Sequence, residues 1–223
     1  MTPPATSEAP VVSDGALYLT QILVGFEKAI GDLQIRDAYD WHQRAWQAFG
    51  GRDGQARDFL IRVDRQHDAY RLLILSSSPP TVPAWCPKEC FSWKAVPDAF
   101  FEHTRYRFRV LANPTKKIRV DTSEGVRKKN GRRVPITSRE ELVEWIARKA
   151  LVGGFRISPD DVRTVSHGRT MFQKLGAKGT HTSVDFEGEL EVVNPILFRA
   201  AVANGIGSAK AFGFGLLVIA PVD

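Results

Sequence analysis

The sequence predicts an α+β chain folded as two successive domains with antiparallel sheets. Three features point there. Stretches of β-branched, leucine and aromatic residues recur from end to end, broken by polar or glycine-bearing turns. Three other stretches, 36–49, 137–151 and 194–204, have the spacing and boundary residues of helices. A segment at 97–103, following a proline-broken approach, separates two groups of elements. The expected layout is a disordered leader over 1–15, a first domain over 16–97 and a second over 104–223.

In the first part, "ALYLTQILV" (16–24) is rich in β-formers and predicts a strand. "RDAYDWHQRAWQAF" (36–49) predicts a helix that Gly50 and Gly51 stop. "DFLIRVD" (58–64) and "YRLLILSS" (70–77) predict a hairpin around the polar "RQHDA", and "CFSWKAV" (90–96) a further strand.

The second part opens on "TRYRFRVLA", where Arg105, Arg107 and Arg109 alternate with Tyr106, Phe108 and Val110. A period of two sets three guanidiniums on one face of a strand and apolar groups on the other. Such a face either guards the sheet against aggregation or tracks a phosphate backbone. "NPTKKIRVDTSEGVRKKNGRRVPI" predicts a basic hairpin turning at Asn130-Gly131. "TSREELVEWIARKAL" predicts a helix with Ser138 and Glu141 in a capping pattern and Gly153 and Gly154 at its end. "DVRTVSH" (161–167) and "HTSVDFEGELEVV" (181–193) predict strands joined by a basic loop, "GRTMFQKLGAKG" (168–179). A helix, "NPILFRAAVAN", and a strand, "GFGLLVIAP", close the chain. The order is close to a ferredoxin-like βαββαβ unit with a basic hairpin inserted after its first strand.

Charge is concentrated. The segment from Lys116 to Arg133 holds eight basic and two acidic side chains, which is the whole of the chain's +6 excess. A solvated loop would tolerate such a run; an electrostatic footprint for phosphates requires one. The hydrophobic fraction of 43% supports a buried core. No apolar run approaches the roughly 18–20 residues of a membrane span. The leader has neither the basic nor the apolar region of a secretory signal. Cys86 and Cys90, the only cysteines, make no disulfide framework, and a reducing cytoplasm is expected. Their C-x₃-C spacing has no second pair to complete a metal site.

Helix 36–49 is the candidate place for chemistry. At about 100° per residue, Ala38, Trp41, Ala45, Ala48 and Phe49 form an apolar stripe, with Tyr39, His42 and Trp46 together along its margin. Tyr39 and His42, three apart, can bring both polar tips to one ligand. An imidazole suits proton transfer near neutral pH, but at such a margin it also serves as a packing residue. The terminal "GIGSAKAFGFGLL" spaces Gly205, Gly207, Gly213 and Gly215 around Lys210. It follows a helix and precedes a strand, the reverse of a dinucleotide-binding loop. Its glycines allow either a tight turn or close backbone approach to a ligand.

Taken together these segments resemble the CasE family, the repeat-processing endoribonucleases of type I-E CRISPR systems. The resemblance runs from Leu17 to Pro221 through "RDAYDWHQRAWQAF", "ARDFLIRVD", "RYRFRVLANPTK", "FEGELEV" and "GIGSAKAFGFGLL". It implies two tandem ferredoxin-like (RRM-like) domains and cleavage of precursor CRISPR RNA at the base of each repeat hairpin. Neither metal nor cofactor is implied. The products would be a 2′,3′-cyclic phosphate and a 5′-hydroxyl, with the mature guide RNA retained by a subunit of the Cascade complex. The family's catalytic histidine falls on His42 and its tyrosine on Tyr39. Some relatives carry a lysine five residues after the histidine; here Gln47 stands there, which leaves Arg44, Arg169, Lys174 and Lys178 as candidate phosphate-stabilising cations. The groups expected to meet RNA are Arg105, Arg107 and Arg109; the hairpin's Lys116, Lys117, Arg119, Arg127, Lys128, Lys129, Arg132 and Arg133; Arg169, Lys174 and Lys178; and Gly205, Gly207, Lys210, Gly213 and Gly215. A catalytically silent hairpin-binding subunit and a protein-interaction scaffold are the rival expectations.

Overall fold

A computed structural model describes residues 15–50, 56–118, 132–174 and 177–222. The first sheet contains β1 (Leu17–Gly25), β2 (Phe59–Arg65), β3 (Ala69–Ser76) and β4 (Phe91–Val96), all antiparallel, in the order β2-β3-β1-β4. Helix α1 (Ala38–Trp46) lies between β1 and β2 in the chain and buries Trp41 and Ala45 in a cluster with Ile22, Ile61 and Ile74. This is the ferredoxin-like strand order with one helix missing. Prolines cannot donate ladder or helix bonds, and the proline-broken passage before β4 has only a short 3₁₀ turn, Lys88–Cys90.

Helix α1 is shorter than its pattern predicts. Asp37 caps it, its carboxylate accepting from the amides of Tyr39 (2.8 Å) and Asp40 (3.1 Å). It ends at Trp46 rather than at the glycines. Ala48 and Phe49 are buried like the helix stripe, but their amides bond three residues back, to Ala45 and Trp46. The apolar rhythm thus continues through a tighter turn. A π-helical turn at Lys28–Asp32 had no sequence signal.

The second sheet begins with β5 (Arg105–Ala112), after which β6 (Thr115–Ile118) and β7 (Arg132–Pro135) pair as the base of the basic hairpin. Helix α2 (Arg139–Val152) follows, capped by Ser138, then β8 (Phe155–Ile157), β9 (Arg163–Lys174), β10 (Ala177–Val192), α3 (Pro195–Asn204) and β11 (Leu217–Pro221). The sheet runs β11-β5-β10-β8, with β9 also paired to β10, and has the same ferredoxin-like order. Residues 168–174 and 177–179 are corrected from loop to strand. β9 and β10 extend beyond the sheet as a two-stranded ribbon pairing Thr170 with His181 and Lys174 with Ala177 across a bulge at Thr182/Val184. Such a ribbon satisfies its backbone without a core beneath it, so no apolar alternation announces it. Among the described residues, no helix is long and apolar enough to cross a membrane.

Two seams join the sheets. One is apolar: Leu17, Leu60 and Leu75 of the first sheet belong to the cluster of Tyr106, Phe108, Phe186 and Phe198. The other is ionic. Arg62 on β2, 2% exposed, reaches Asp64 at 2.8 Å and, across the seam, Asp185 on β10 at 3.0 Å, which is 4% exposed. Asp185 also accepts from Arg109 at 2.7 Å and lies 3.1 Å from His167 Nε2. Burial pushes the Asp185 carboxyl up, but the Arg109 hydrogen bond, the Arg62 charge and His167 together hold it below its ordinary value. The carboxylate's contribution to stability is therefore present above the ordinary aspartate range and lost as pH falls through the depressed folded value. Asp185→Asn is expected to cost about 3 kcal/mol at neutral pH, because the buried Arg62 guanidinium loses one of its two carboxylates. Urea unfolding should also show that the variant loses less stability than the parent between roughly pH 5 and 2. Equal acid slopes would contradict the ionic seam.

Candidate functional site

α1, β9, the β10 ribbon and the glycine-bearing segment converge on one edge of the cleft between the sheets. That segment closes on itself at its neck: Ile206 N–H donates to Gly215 O at 2.8 Å, and Gly215 N–H donates to Leu111 O at 2.7 Å. Gly205 (φ +75°) and Gly215 (φ +88°) are required there, since a Cβ would stand 2.8 Å from Leu60 and 2.5 Å from Ile206 O respectively. Between them a 3₁₀ turn, Lys210–Phe212, carries Phe212 against Tyr39, with ring centroids 6.1 Å apart. The tight-turn reading of the glycines accounts for this neck.

Tyr39 and His42 have ring centroids 6.2 Å apart on adjacent turns of α1. His42 sits deeper than a helical margin suggests, at 7% exposure. Phe59 of β2 covers it at 5.5 Å and Trp46 at 6.1 Å. The Trp46 indole N–H donates to His42 Nε2 at 3.1 Å. An indole can only donate, so Nε2 presents its lone pair and the neutral ring carries its proton on Nδ1.

A second histidine, unforeseen from sequence, faces the same segment. The His181 ring lies 4.8 Å from Phe212 and 5.5 Å from Phe214. Asn113 orients it. Asn113 Oδ1 accepts from Thr182 N–H at 3.1 Å, which turns its amide NH₂ toward His181 Nδ1 at 3.0 Å. Nδ1 then accepts and Nε2 holds the proton; burial lowers the ring's pKa from its ordinary value. Only topology brings His181, Phe212 and Phe59 to α1, so no local motif could have found them.

The predicted cations are distributed unevenly. Arg105 pairs with Glu189 at 2.6 Å, and Arg109 with Asp185 and with Glu187 at 2.9 Å, so much of the arginine row faces carboxylates of β10. In register, Arg107 lies opposite Glu189. Lys116 pairs with Glu141. Lys117, Arg132 and Arg133 flank the hairpin's base; Arg119, Arg127, Lys128, Lys129 and the Asn130-Gly131 turn lie outside the described residues, as does the leader through Asp14. Arg169 is exposed on β9 opposite Thr182, and Lys174 and Lys178 belong to the ribbon strands. Arg44 is turned away, donating to Leu33 O at 2.9 Å. Cys86 and Cys90 are free thiols; burial, then Cys90, pushes Cys86 up to about 11.

A family model described as CRISPR associated protein matches residues 17–221. The CRISPR system Cascade subunit CasE of Escherichia coli is 30% identical over 211 residues, covering 92% of this chain and all of the relative. The CRISPR-associated endoribonuclease Cse3 of Thermus thermophilus is 26% identical, with 92% of this chain and all of that protein covered. A Thermus thermophilus Cse3 structure, bound to an RNA representing a pre-cleavage complex, superposes with a TM-score of 0.72 at 26% identity over 92% of this chain and all of that one. The chain belongs to the CasE/Cse3 family of CRISPR-associated proteins.

In this family member Trp46 sets the proton's position on the one histidine of α1. A hydrogen bond worth about 1 kcal/mol biases the tautomer roughly fivefold. Nitrogen-15 NMR of neutral His42 should show a protonated Nδ1 and a bare Nε2, and Trp46→Phe should mix the two forms. A parent ring protonated on Nε2 would contradict the assigned bond.

Proposed function

We propose that this chain is a metal-independent endoribonuclease that cleaves precursor CRISPR RNA at the base of the repeat stem-loop and keeps the mature guide RNA as a Cascade subunit. The carrying observation is the Tyr39–His42 pair of α1, which meets the glycine-bearing segment through Tyr39 and Phe212, in a chain similar along its length to a Cascade subunit and to an endoribonuclease. The other Cascade subunits are its expected partners, the cytoplasm its compartment, and 16–97 and 104–223 its domain division.

The chemistry needs no external nucleophile. The ribose 2′-oxygen attacks the adjacent phosphorus, the P–O5′ bond breaks, and a 2′,3′-cyclic phosphate and a 5′-hydroxyl remain. The protein holds the three reacting atoms in line, takes the 2′-hydroxyl proton and returns one to the leaving 5′-oxygen. His42 and Tyr39 are the proposed proton-transfer pair. Duplex RNA is read through shape and phosphates, and the hairpin from Lys116 to Arg133 with Arg169, Lys174, Lys178 and the glycine-bearing segment forms the proposed contact surface. Arg107 belongs to the same surface, and Arg105 and Arg109 join it where phosphates displace their carboxylate partners. The enclosure of His42 by Trp46 and Phe59 favours one second reading, a hairpin-binding subunit without cleavage.

Incubating the pure protein with its host's repeat hairpin in EDTA separates the readings: cut RNA supports the enzyme, intact bound RNA the silent subunit. His42→Ala should slow cutting by about 10²–10⁴-fold with little change in affinity, and unaltered cutting would remove His42 from the mechanism. Reversing the charges of Lys117, Arg132 and Arg133 should weaken RNA binding and flatten its salt dependence by about one log unit per lost phosphate contact. Unchanged affinity would relocate the binding surface.

A further inference from the structure

The proposed transesterification builds negative charge on the phosphoryl oxygens, and α1 offers no cation to meet it. Gln47 is neutral, and Arg44 is committed to the Leu33 carbonyl. The glycine-bearing segment does offer one. Lys210 opens the 3₁₀ turn whose last residue, Phe212, packs on Tyr39, and this turn touches both α1 and β2. The segment is seated by Leu60 beneath Gly205 and by the Trp145 ring beside Gly207. Lys149 stands over that same ring, 5.9 Å from its centroid. Arg57, two residues before the Phe59 that covers His42, has a buried Nη1 with no hydrogen-bond partner among the described residues.

Three cations are therefore gathered at the turn, and two of them are partly dehydrated. Burial, then the charges of Arg57 and Lys149, lowers the Lys210 ammonium from its ordinary value. Burial likewise lowers Arg57. Like charges held together in a dehydrated place cost free energy until an anion arrives. Ordinary ion pairs elsewhere on this chain show the contrast: Arg62, Arg105 and Arg109 each have a carboxylate within 3.0 Å.

We propose that Lys210, backed by Arg57, binds a non-bridging oxygen of the scissile phosphate and stabilises the charge that develops there. This rests on the endoribonuclease reading and assigns the cation that Gln47 cannot supply. Lys149, more exposed and at the end of α2, contributes field rather than contact.

Single-turnover cleavage of the repeat hairpin tests it, with parent, Lys210→Met, Lys210→Arg, Arg57→Gln and His42→Ala run together. Lys210→Met should lose about 10²–10³ in rate, the size of removing one charge-stabilising donor, with RNA affinity changed far less. Lys210→Arg should restore much of the rate, and Arg57→Gln, outside the segment, should show a smaller loss. A phosphorothioate at the scissile phosphate should slow the parent more than Lys210→Met, because that variant has already lost the contact. If cleavage requires His42 but Lys210→Met and Arg57→Gln cut at the parent rate, or lose only affinity with an unaltered sulfur effect, this inference falls and the enzyme reading stands. If the parent does not cut at all, both fall.

Discussion

The geometry of the cleft depends on one buried ionic contact, Arg62 to Asp185. It ties the middle of β2 to the middle of β10, and both strands carry functional groups a few residues away. Phe59, three residues before Arg62, covers His42; His181, four residues before Asp185, faces Phe212. A slip of either strand would move one ring of the site relative to the other. Burying these charges is expensive, and apolar residues of similar shape would stabilise the seam at least as well. What the ion pair adds is direction: a guanidinium between Asp64 and Asp185 has a narrow range of acceptable positions, whereas leucines slide.

Arg105 and Arg109 of the β5 row face carboxylates of β10. Alternation along "RYRFRV" is local and was legible. The carboxylates opposite it, Glu187 and Glu189, lie some eighty residues away and meet it only through strand register. Most of the fold was readable in this way, since strand alternation, the helix cap at Ser138 and the hairpin's basic composition are properties of short windows. The ribbon of residues 168–174 and 177–179 was not, because its two strands satisfy each other's backbone and need no apolar alternation. A helical wheel placed His42 correctly in angle and wrongly in depth, since angle is set by α1 and depth by Phe59 from another strand. His181, Asn113 and Arg57 acquire meaning only when topology sets them beside the glycine-bearing segment.

The site has an economy consistent with substrate-assisted cleavage. Reacting groups supplied by the RNA leave the protein to position atoms, move protons and offset charge. Tyr39 and His42 are close enough for the second task. The Trp46 bond keeps the histidine in one tautomer, with its proton on Nδ1. For Nε2 to act as a base, the indole must release it, so RNA binding and the Trp46 rotamer would be coupled. For the third function the proposed groups are Lys210, on a segment that the glycines hold in a shape few other residues permit, and Arg57, just before β2.

The central claim is that the RNA's own ribose hydroxyl makes the attack. A repeat hairpin with a single 2′-deoxy substitution immediately 5′ of the cleaved bond tests it most directly. The account predicts that this RNA binds as tightly as the unmodified hairpin and is never cut. Cleavage of the deoxy substrate at a comparable rate would mean that water or a protein group is the nucleophile, and the roles given to His42, Tyr39 and Lys210 would have to be abandoned.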